Sequence, residues 1–205
     1  MQDNVIKKYS IIYMDPPWEY NKRPNNTKSG LGAMGHYGTM TMQEIKALPI
    51  SDLAAENCAV FMWCTHPKLD QQIQLFRHWG FRFCTCAFMW IKTTKAGKPY
   101  FGVGHYTKHN SEPCYLGVKG KMTVKSNFVS QIIIQPQYRG EKGKIIHSKK
   151  PEIVREKIVE LFGDLPRLEM FARDTTDGWD VWGNEVEDRI DIFEETQMKL
   201  IKAGQ

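Results

Sequence analysis

Asp15-Pro16-Pro17-Trp18 follows directly on the apolar run Tyr9-Ser10-Ile11-Ile12-Tyr13-Met14. The tetrapeptide puts a carboxylate, a rigid diproline and a large aromatic face at the end of a segment that reads as a buried strand. Such a group suits alkylation of an aromatic amine. The lone pair of that amine is delocalised into its ring, so the nitrogen is a poor nucleophile. Asp15 and the Pro16 carbonyl can each accept one amine hydrogen, which draws the nitrogen toward sp3 geometry and localises the pair. Proline suits the acceptor role, because it has no N–H and its φ is held at about −65°, so the carbonyl direction is preset. Trp18 offers a stacking face, worth roughly 1–3 kcal/mol per base by analogy with single-strand binders. Orientation supplies most of the acceleration in such a site. The plainer reading is that Asp-Pro-Pro merely ends a strand, since both residue types form turns.

Ligands of open α/β sheets bind outside the carboxyl ends of the strands, so a strand tip is the right place for this chemistry. Apolar runs at residues 9–14, 59–64, 83–92, 113–118, 131–135 and 167–171 read as strands, alternating with helical patterns. That order predicts an α/β fold with a mostly parallel sheet flanked by crossover helices. A short helix should open at Thr41, where Thr41-Met42-Gln43-Glu44 has capping-box form. A longer one is expected over residues 67–79, stopping at Gly80. Another should start at Pro151, with Val154, Ile158, Leu161 and Phe162 on one face, and a last one should span 188–202. A chain of 205 residues suits one domain spanning 1–205.

The net charge of +5 conceals an asymmetry. Residues 1–150 hold 21 Lys/Arg against 9 Asp/Glu, a net +12, and residues 151–205 hold 7 against 14, a net −7. The basic excess gathers in three long stretches that read as loops. Residues 19–35 carry Lys22, Arg23 and Lys28; residues 93–109 carry Lys95, Lys98 and Lys108 among Tyr100, Phe101 and Tyr106; residues 136–150 carry Arg139, Lys142, Lys144, Lys149 and Lys150. Basic side chains with interleaved aromatics suit a phosphate backbone and exposed bases, so nucleic acid is the expected partner. The +12 half speaks against a small neutral acceptor. No segment approaches 18 consecutive apolar residues and the N-terminus lacks a signal-peptide layout, so a cytoplasmic protein off the membrane is expected. The five cysteines form no CxxC pair and read as reduced thiols. No metal is expected: His105 and His109 have a helical ligand spacing, but Gly102 and Gly104 oppose a helix there. Gly140-Glu141-Lys142-Gly143-Lys144 is too short for a phosphate-binding loop.

Beyond the tetrapeptide stand Tyr37-Gly38-Thr39-Met40, Phe61-Met62-Trp63, Trp90-Ile91-Lys92-Thr93, Glu112, Gly117-Val118-Lys119-Gly120, His147-Ser148-Lys149-Lys150-Pro151-Glu152, Glu169-Met170-Phe171-Ala172-Arg173 and Trp182-Gly183-Asn184-Glu185. In these ordered landmarks, from about residue 9 to 185, the chain resembles the MT-A type adenine N6-methyltransferases. These include the catalytic subunit of the mRNA adenosine methyltransferase and bacterial and phage DNA methyltransferases. The resemblance implies a Rossmann-like fold that binds S-adenosylmethionine. Asp15, Pro16, Pro17 and Trp18 would hold the target adenine, with Asp15 also near the cofactor. Lys150, Arg173, Asn184 and Glu185 match cofactor-contacting positions. Thr175 and Thr176 occupy further cofactor-contacting positions, where the mRNA enzyme has a His-Asn pair. Tyr37 and Glu112 match positions lining the substrate pocket, and Lys22, Arg23 and Lys28 would bind the strand.

The expected reaction is S-adenosylmethionine-dependent methylation of the exocyclic N6 amine of adenine in DNA. DNA is favoured over RNA because the chain reads as a catalytic domain without accessory RNA-binding modules. RNA adenosine is the alternative substrate. A further alternative is a non-catalytic nucleic-acid-binding partner subunit, against which the intact Asp15 and both prolines argue. A homodimer, or a heterodimer with a related subunit, fits the habit of the family.

Overall fold

The computed structural model describes residues 7–19, 38–104, 106–140, 146, 149–187 and 190–193. Among them run seven strands: β1 (Tyr9–Met14), β2 (Ala54–Trp63), β3 (Arg82–Thr93), β4 (Ser111–Lys119), β5 (Ile132–Pro136), β6 (Arg167–Met170) and β7 (Asp180–Trp182). They form one sheet in the order β5-β3-β4-β2-β1-β6-β7. β1 pairs in parallel with β2 and β6, β6 with β7, and β3 with β5. β4 runs against both of its neighbours, β2 and β3. The consequence for the site is direct: the start of β4 lies at the same edge as the carboxyl tips of the parallel strands.

A strand buried on both faces needs a near-continuous apolar run, which β1 and β2 supply. Ile12 and Met14 of β1, with Val60 and Met62 of β2, pack into a core under three helices. These are α1 (Met42–Lys46), α2 (Ile50–Leu53) and α3 (Leu69–His78), the last preceded by a 3-10 turn at His66–Lys68. Ile11 and Tyr13, with Ala59, Phe61 and Trp63, face the other way onto Val154, Ile158 and Phe162 of α4 (Ile153–Phe162). Layers of helices on both faces of a mostly parallel sheet make the expected Rossmann-like α/β architecture.

The capping box at α1 forms as its sequence implies: Glu44 N donates to Thr41 Oγ1, and Thr41 N donates to the Glu44 carboxylate at 2.7 Å. Other boundaries move. β2 begins at Ala54 rather than residue 59, because its first turn of strand carries the exposed Glu56 and Asn57 beyond the core. α2 and β7, four and three residues long, carry too few residues to show a period. The helix expected over residues 188–202 lies outside the described residues, apart from the stretch 190–193.

Gly117 lets α3 approach β4, since a Cβ there would lie 2.3 Å from Phe76 Cδ1, and the Phe76 ring is fully buried. Gly117→Val should therefore destabilise the protein by about 1–3 kcal/mol, the range for overpacking a filled core. Urea unfolding would show this as a lower midpoint at unchanged slope. An unshifted midpoint would mean that Phe76 moves aside at no cost.

Candidate active site at the carboxyl edge of the sheet

Four charged side chains of alternating sign line up at that edge. Asp15 immediately follows β1, and its Oδ2 accepts from Lys150 Nζ at 2.6 Å. Lys150 also reaches Glu112 Oε2 at 3.4 Å, and Lys92 Nζ donates to Glu112 Oε1 on the other side. Side-chain exposures of 28%, 13%, 21% and 8% for Asp15, Lys150, Glu112 and Lys92 show a row largely withdrawn from water. Each ammonium also lies over an indole, Lys150 over Trp63 at 5.6 Å and Lys92 over Trp90 at 5.1 Å. Withdrawing charges from water is costly unless each is paired, and here every charge has an opposite neighbour.

Electrostatics differentiates the two carboxylates. Burial alone would push Glu112 up, but Lys150 and Lys92 outweigh it and bring its pKa down to about 2. Burial pushes Asp15 above the ordinary carboxylate value, with Lys150 and, more weakly, Arg173 pulling against it. Lys150 is depressed by burial but raised on balance by Asp15 and then Glu112. At neutral pH, Glu112 and Lys150 are therefore firmly charged, whereas Asp15 is the anion least satisfied by its surroundings. It is the group in the row most ready to accept a hydrogen bond or a proton.

Backbone geometry presents Pro16 beside it. Trp18 N donates to Pro16 O at 2.9 Å, an i to i+2 turn, and this uses one lone pair of a carbonyl that has two. Met40 N donates to Pro17 O at 2.8 Å and Glu19 N to Met40 O at 3.1 Å, which clamps the segment. Trp18 departs from its expected role as an open stacking face. Its ring is 6% exposed, packed into the core, and its Nε1 donates to Trp63 O at 3.1 Å. The indole is more useful buried: it fixes the diproline to the end of β2, so the carboxylate and carbonyl are held rather than free.

A second group gathers where β6 and β7 end. Ala172 N donates to Trp182 O at 3.0 Å, and a Cβ on Gly183 would lie 2.1 Å from Ala172 O, so glycine is required for the two tips to touch. Phe171 adopts φ 62°, a left-handed conformation that costs a non-glycine residue energy and turns the chain sharply after β6. The turn sets Arg173 against Glu185, with Nε 3.4 Å from Oε1, and leaves Asn184 exposed. Arg173 pulls weakly on the Asp15 carboxyl, and β6, which ends three residues before it, pairs in parallel with β1.

Of the residues expected at the site, the structure brings Asp15, Pro16, Glu112, Lys150 and Arg173 to this edge and sets Asn184 and Glu185 beside Arg173. Lys150, expected against the cofactor, ties the two carboxylates together. Thr175 is exposed and Thr176 half-buried, its carbonyl accepting from Trp179 N at 3.0 Å. Tyr37, Lys22, Arg23 and Lys28 lie outside the described residues. Lys92 joins the row without a role that its motif announces. A lysine inside the apolar strand Phe88-Met89-Trp90-Ile91-Lys92 was the available signal, since such a residue is buried only with a partner. His109 also went unassigned. It is half-buried, its ring nitrogen meets Ser111 O at 2.8 Å, and burial, then Lys92, lowers its pKa.

The donor set fits a ligand carrying a sulfonium, a carboxylate and a ribose. Asp15 offers an anion to the sulfonium, Arg173 a guanidinium to the carboxylate, and Glu185 and Asn184 offer acceptors and donors to hydroxyls.

Fold and site together define the class: a methyltransferase of Rossmann-like architecture. The MT-A70 family profile matches residues 9–185, and the chain belongs to that family. It is 32% identical over 201 residues to the type II methyltransferase M.MunI of Mycoplasma sp, covering 91% of this chain and 82% of that protein. It is 29% identical over 195 residues to the N(6)-adenine-specific methyltransferase METTL4 of Mus musculus, covering 89% of this chain and 38% of METTL4. A putative N(6)-adenosine-methyltransferase MT-A70-like of Medicago truncatula matches at 24% over 191 residues, or 27% of its length. The chain thus spans most of the first relative and well under half of the other two.

Proposed function

We propose that this protein transfers the methyl group of S-adenosylmethionine to the exocyclic N6 amine of adenine in DNA. The observation that carries the reading is Asp15 at the tip of β1. It is a partly exposed carboxylate held at 2.6 Å by Lys150, burial leaves it short of stabilisation, and the Pro16 carbonyl is next to it. S-adenosylmethionine, when bound, would supply an electrophilic methyl carbon on a cationic sulfur, which would leave as a neutral thioether as its bond to that carbon breaks. Asp15 and Pro16 O accept the two amine hydrogens and localise the nitrogen lone pair. As the nitrogen gains the methyl carbon it becomes strongly acidic, and Asp15, raised by burial, is placed to take the proton. Glu112 stays ionised throughout and, through Lys150, keeps Asp15 in position. Arg173, Asn184 and Glu185 hold the cofactor in this scheme, and Glu112 faces the base.

DNA is preferred because a relative matched over most of both lengths is a type II methyltransferase, and because METTL4 is named for adenine. RNA adenosine is the alternative, favoured by relatives named adenosine methyltransferases. Among the described residues no helix is long and apolar enough to cross a membrane. The test is transfer of labelled methyl to a panel of adenine-containing DNA and RNA oligonucleotides, with mass spectrometry of the nucleosides. N6-methyl-2′-deoxyadenosine is the expected product. Label confined to RNA would move the assignment to the alternative, and label on no adenine polymer would overturn it. Affinity for the substrate strand should fall linearly on a log–log plot against salt.

A further inference from the structure

The segment joining β3 to β4, residues 94–110, springs from the site itself. Its two feet are Lys92 and Glu112, the buried ion pair, and Lys92 N donates to Asn110 O at 2.8 Å. Beyond the feet the backbone pairs again. Tyr100 N donates to Lys92 O at 3.0 Å, Gly102 N to His109 O at 3.0 Å, and His109 N to Gly102 O at 3.1 Å. Cβ atoms on Gly102 and Gly104 would lie 2.9 Å from His109 O and 2.0 Å from Thr107 O, so the arms are in close contact. The result is a narrow projection built on the rim of the site.

Its side chains are the wrong ones for water. Phe101 is 63% exposed, Val103 89%, and Tyr106 fully exposed. Single exposed apolar residues need no explanation, but three within six positions on a braced tip do. Lys95, Lys98 and Lys108 are exposed on the same segment, which contains no acidic residue. Flat apolar surfaces flanked by cations match one partner chemistry: stacked bases between phosphates. Need for such a device also follows from the site. Asp15 lies within a largely buried row, and an adenine paired inside a duplex cannot reach a group so placed without leaving the stack.

We propose that Phe101, Val103 and Tyr106 form a wedge that enters the base stack beside the target adenine and fills the gap left when it swings out, while Lys95, Lys98 and Lys108 hold the flanking phosphates. This rests on the nucleic-acid reading of the site. The wedge favours the extruded state, so its contribution is felt only where the adenine must be unstacked and unpaired.

The experiment compares the wild-type enzyme with the triple variant Phe101→Ser, Val103→Ser, Tyr106→Ser. Three substrates carry the same target: a fully paired duplex, that duplex with an abasic site opposite the adenine, and the single strand. On the paired duplex kcat/KM should fall about tenfold or more, since unpairing and unstacking a base costs a few kcal/mol. On the other two it should change little. A 2-aminopurine at the target position should brighten with wild-type protein on the paired duplex and less with the variant. The variant should keep its thermal midpoint, because all three side chains are exposed. Equal loss on all three substrates, or none, would overturn the wedge alone. So would a wild-type enzyme that methylates only unpaired adenine, or a variant whose sedimentation shows a lost dimer, which would make the tip a contact between two copies. A wild-type enzyme that methylates none of the three would overturn the underlying reading instead.

Discussion

Asp15→Asn lowers the methyl-transfer rate by about 10²–10³-fold or more, the scale on which removal of one preorganised polar group at a reacting centre acts. Asparagine is isosteric but neutral, so it cannot take the amine proton, and its NH2 can face the incoming amine as a donor against a donor. Thermal stability should hardly move. Asp15 sits above its ordinary pKa, chiefly because burial disfavours the anion, so its ionised form costs stability at neutral pH. The sign is clear: a carboxyl raised in the folded state favours folding below its ordinary value and opposes folding as pH rises through the shifted one. Asparagine removes that cost and also removes a partner of Lys150, which keeps Glu112 at 3.4 Å. The two effects oppose each other. A single-turnover assay with saturating cofactor, beside a melting curve, separates chemistry from folding. A fall of less than about tenfold in a folded variant would remove Asp15 from the chemistry.

Lys150→Met has the second largest effect, and it acts on both activity and stability. The methionine keeps the bulk over Trp63 but leaves Asp15 and Glu112 facing each other without the cation between them. Breaking a buried pair by removing one partner costs about 3–5 kcal/mol. Lys92 still pairs with Glu112, which places the expectation at the lower end, about 3 kcal/mol. The pH dependence should turn over as well. In the wild type, Glu112 has a folded pKa of about 2, so its contribution is present at neutral pH and is lost as pH falls toward that value. In the variant Asp15 rises further, under burial and the charge of Glu112. Its protonation then favours folding at low pH and the benefit is lost as pH rises. Chemical denaturation at about pH 5 and about pH 8 should find the variant relatively better at the lower pH. An unchanged stability at both values would mean that the row is not an electrostatic unit.

The fold was legible where burial forces the pattern. β1 matches its expected bounds because a strand covered on both faces can carry little but apolar residues, and α1 announces itself through a capping box written into Thr41 and Glu44. β2 is longer than its apolar run because the strand continues through the exposed Glu56 and Asn57, where side-chain polarity no longer reports it. β7 has three residues, held as much by its neighbour β6 as by its own composition.

The site divides in the same way. Asp15 and Pro16 were visible as a local motif, since a strand tip concentrates their chemistry in adjacent residues. Glu112, Lys150 and Arg173 were reached only by resemblance, because they lie about a hundred or more positions away, and only the pairing of strands brings them to one edge. The antiparallel β4 is the decisive element, for its start carries Glu112 to the edge where β1 ends, beside Lys92 at the end of β3, and a sequence does not state the direction of a strand. Trp18 differs from its expected open face for a related reason. An indole beside a motif reads as a ligand face until the carbonyl of Trp63 is seen to hold its N–H.

The proposed reaction requires the amine to be methylated to lie against Asp15 and the Pro16 carbonyl at the tip of β1. A crystal structure with an analogue that joins adenosine N6 to the methyl position of S-adenosylmethionine tests it most directly. The expected result places that nitrogen at about 3 Å from an Asp15 carboxylate oxygen or from Pro16 O, with the methionyl carboxylate beside Arg173. An analogue bound with its N6 turned away from both oxygens, or seated at another edge of the sheet, would remove Asp15 and Pro16 from the reaction.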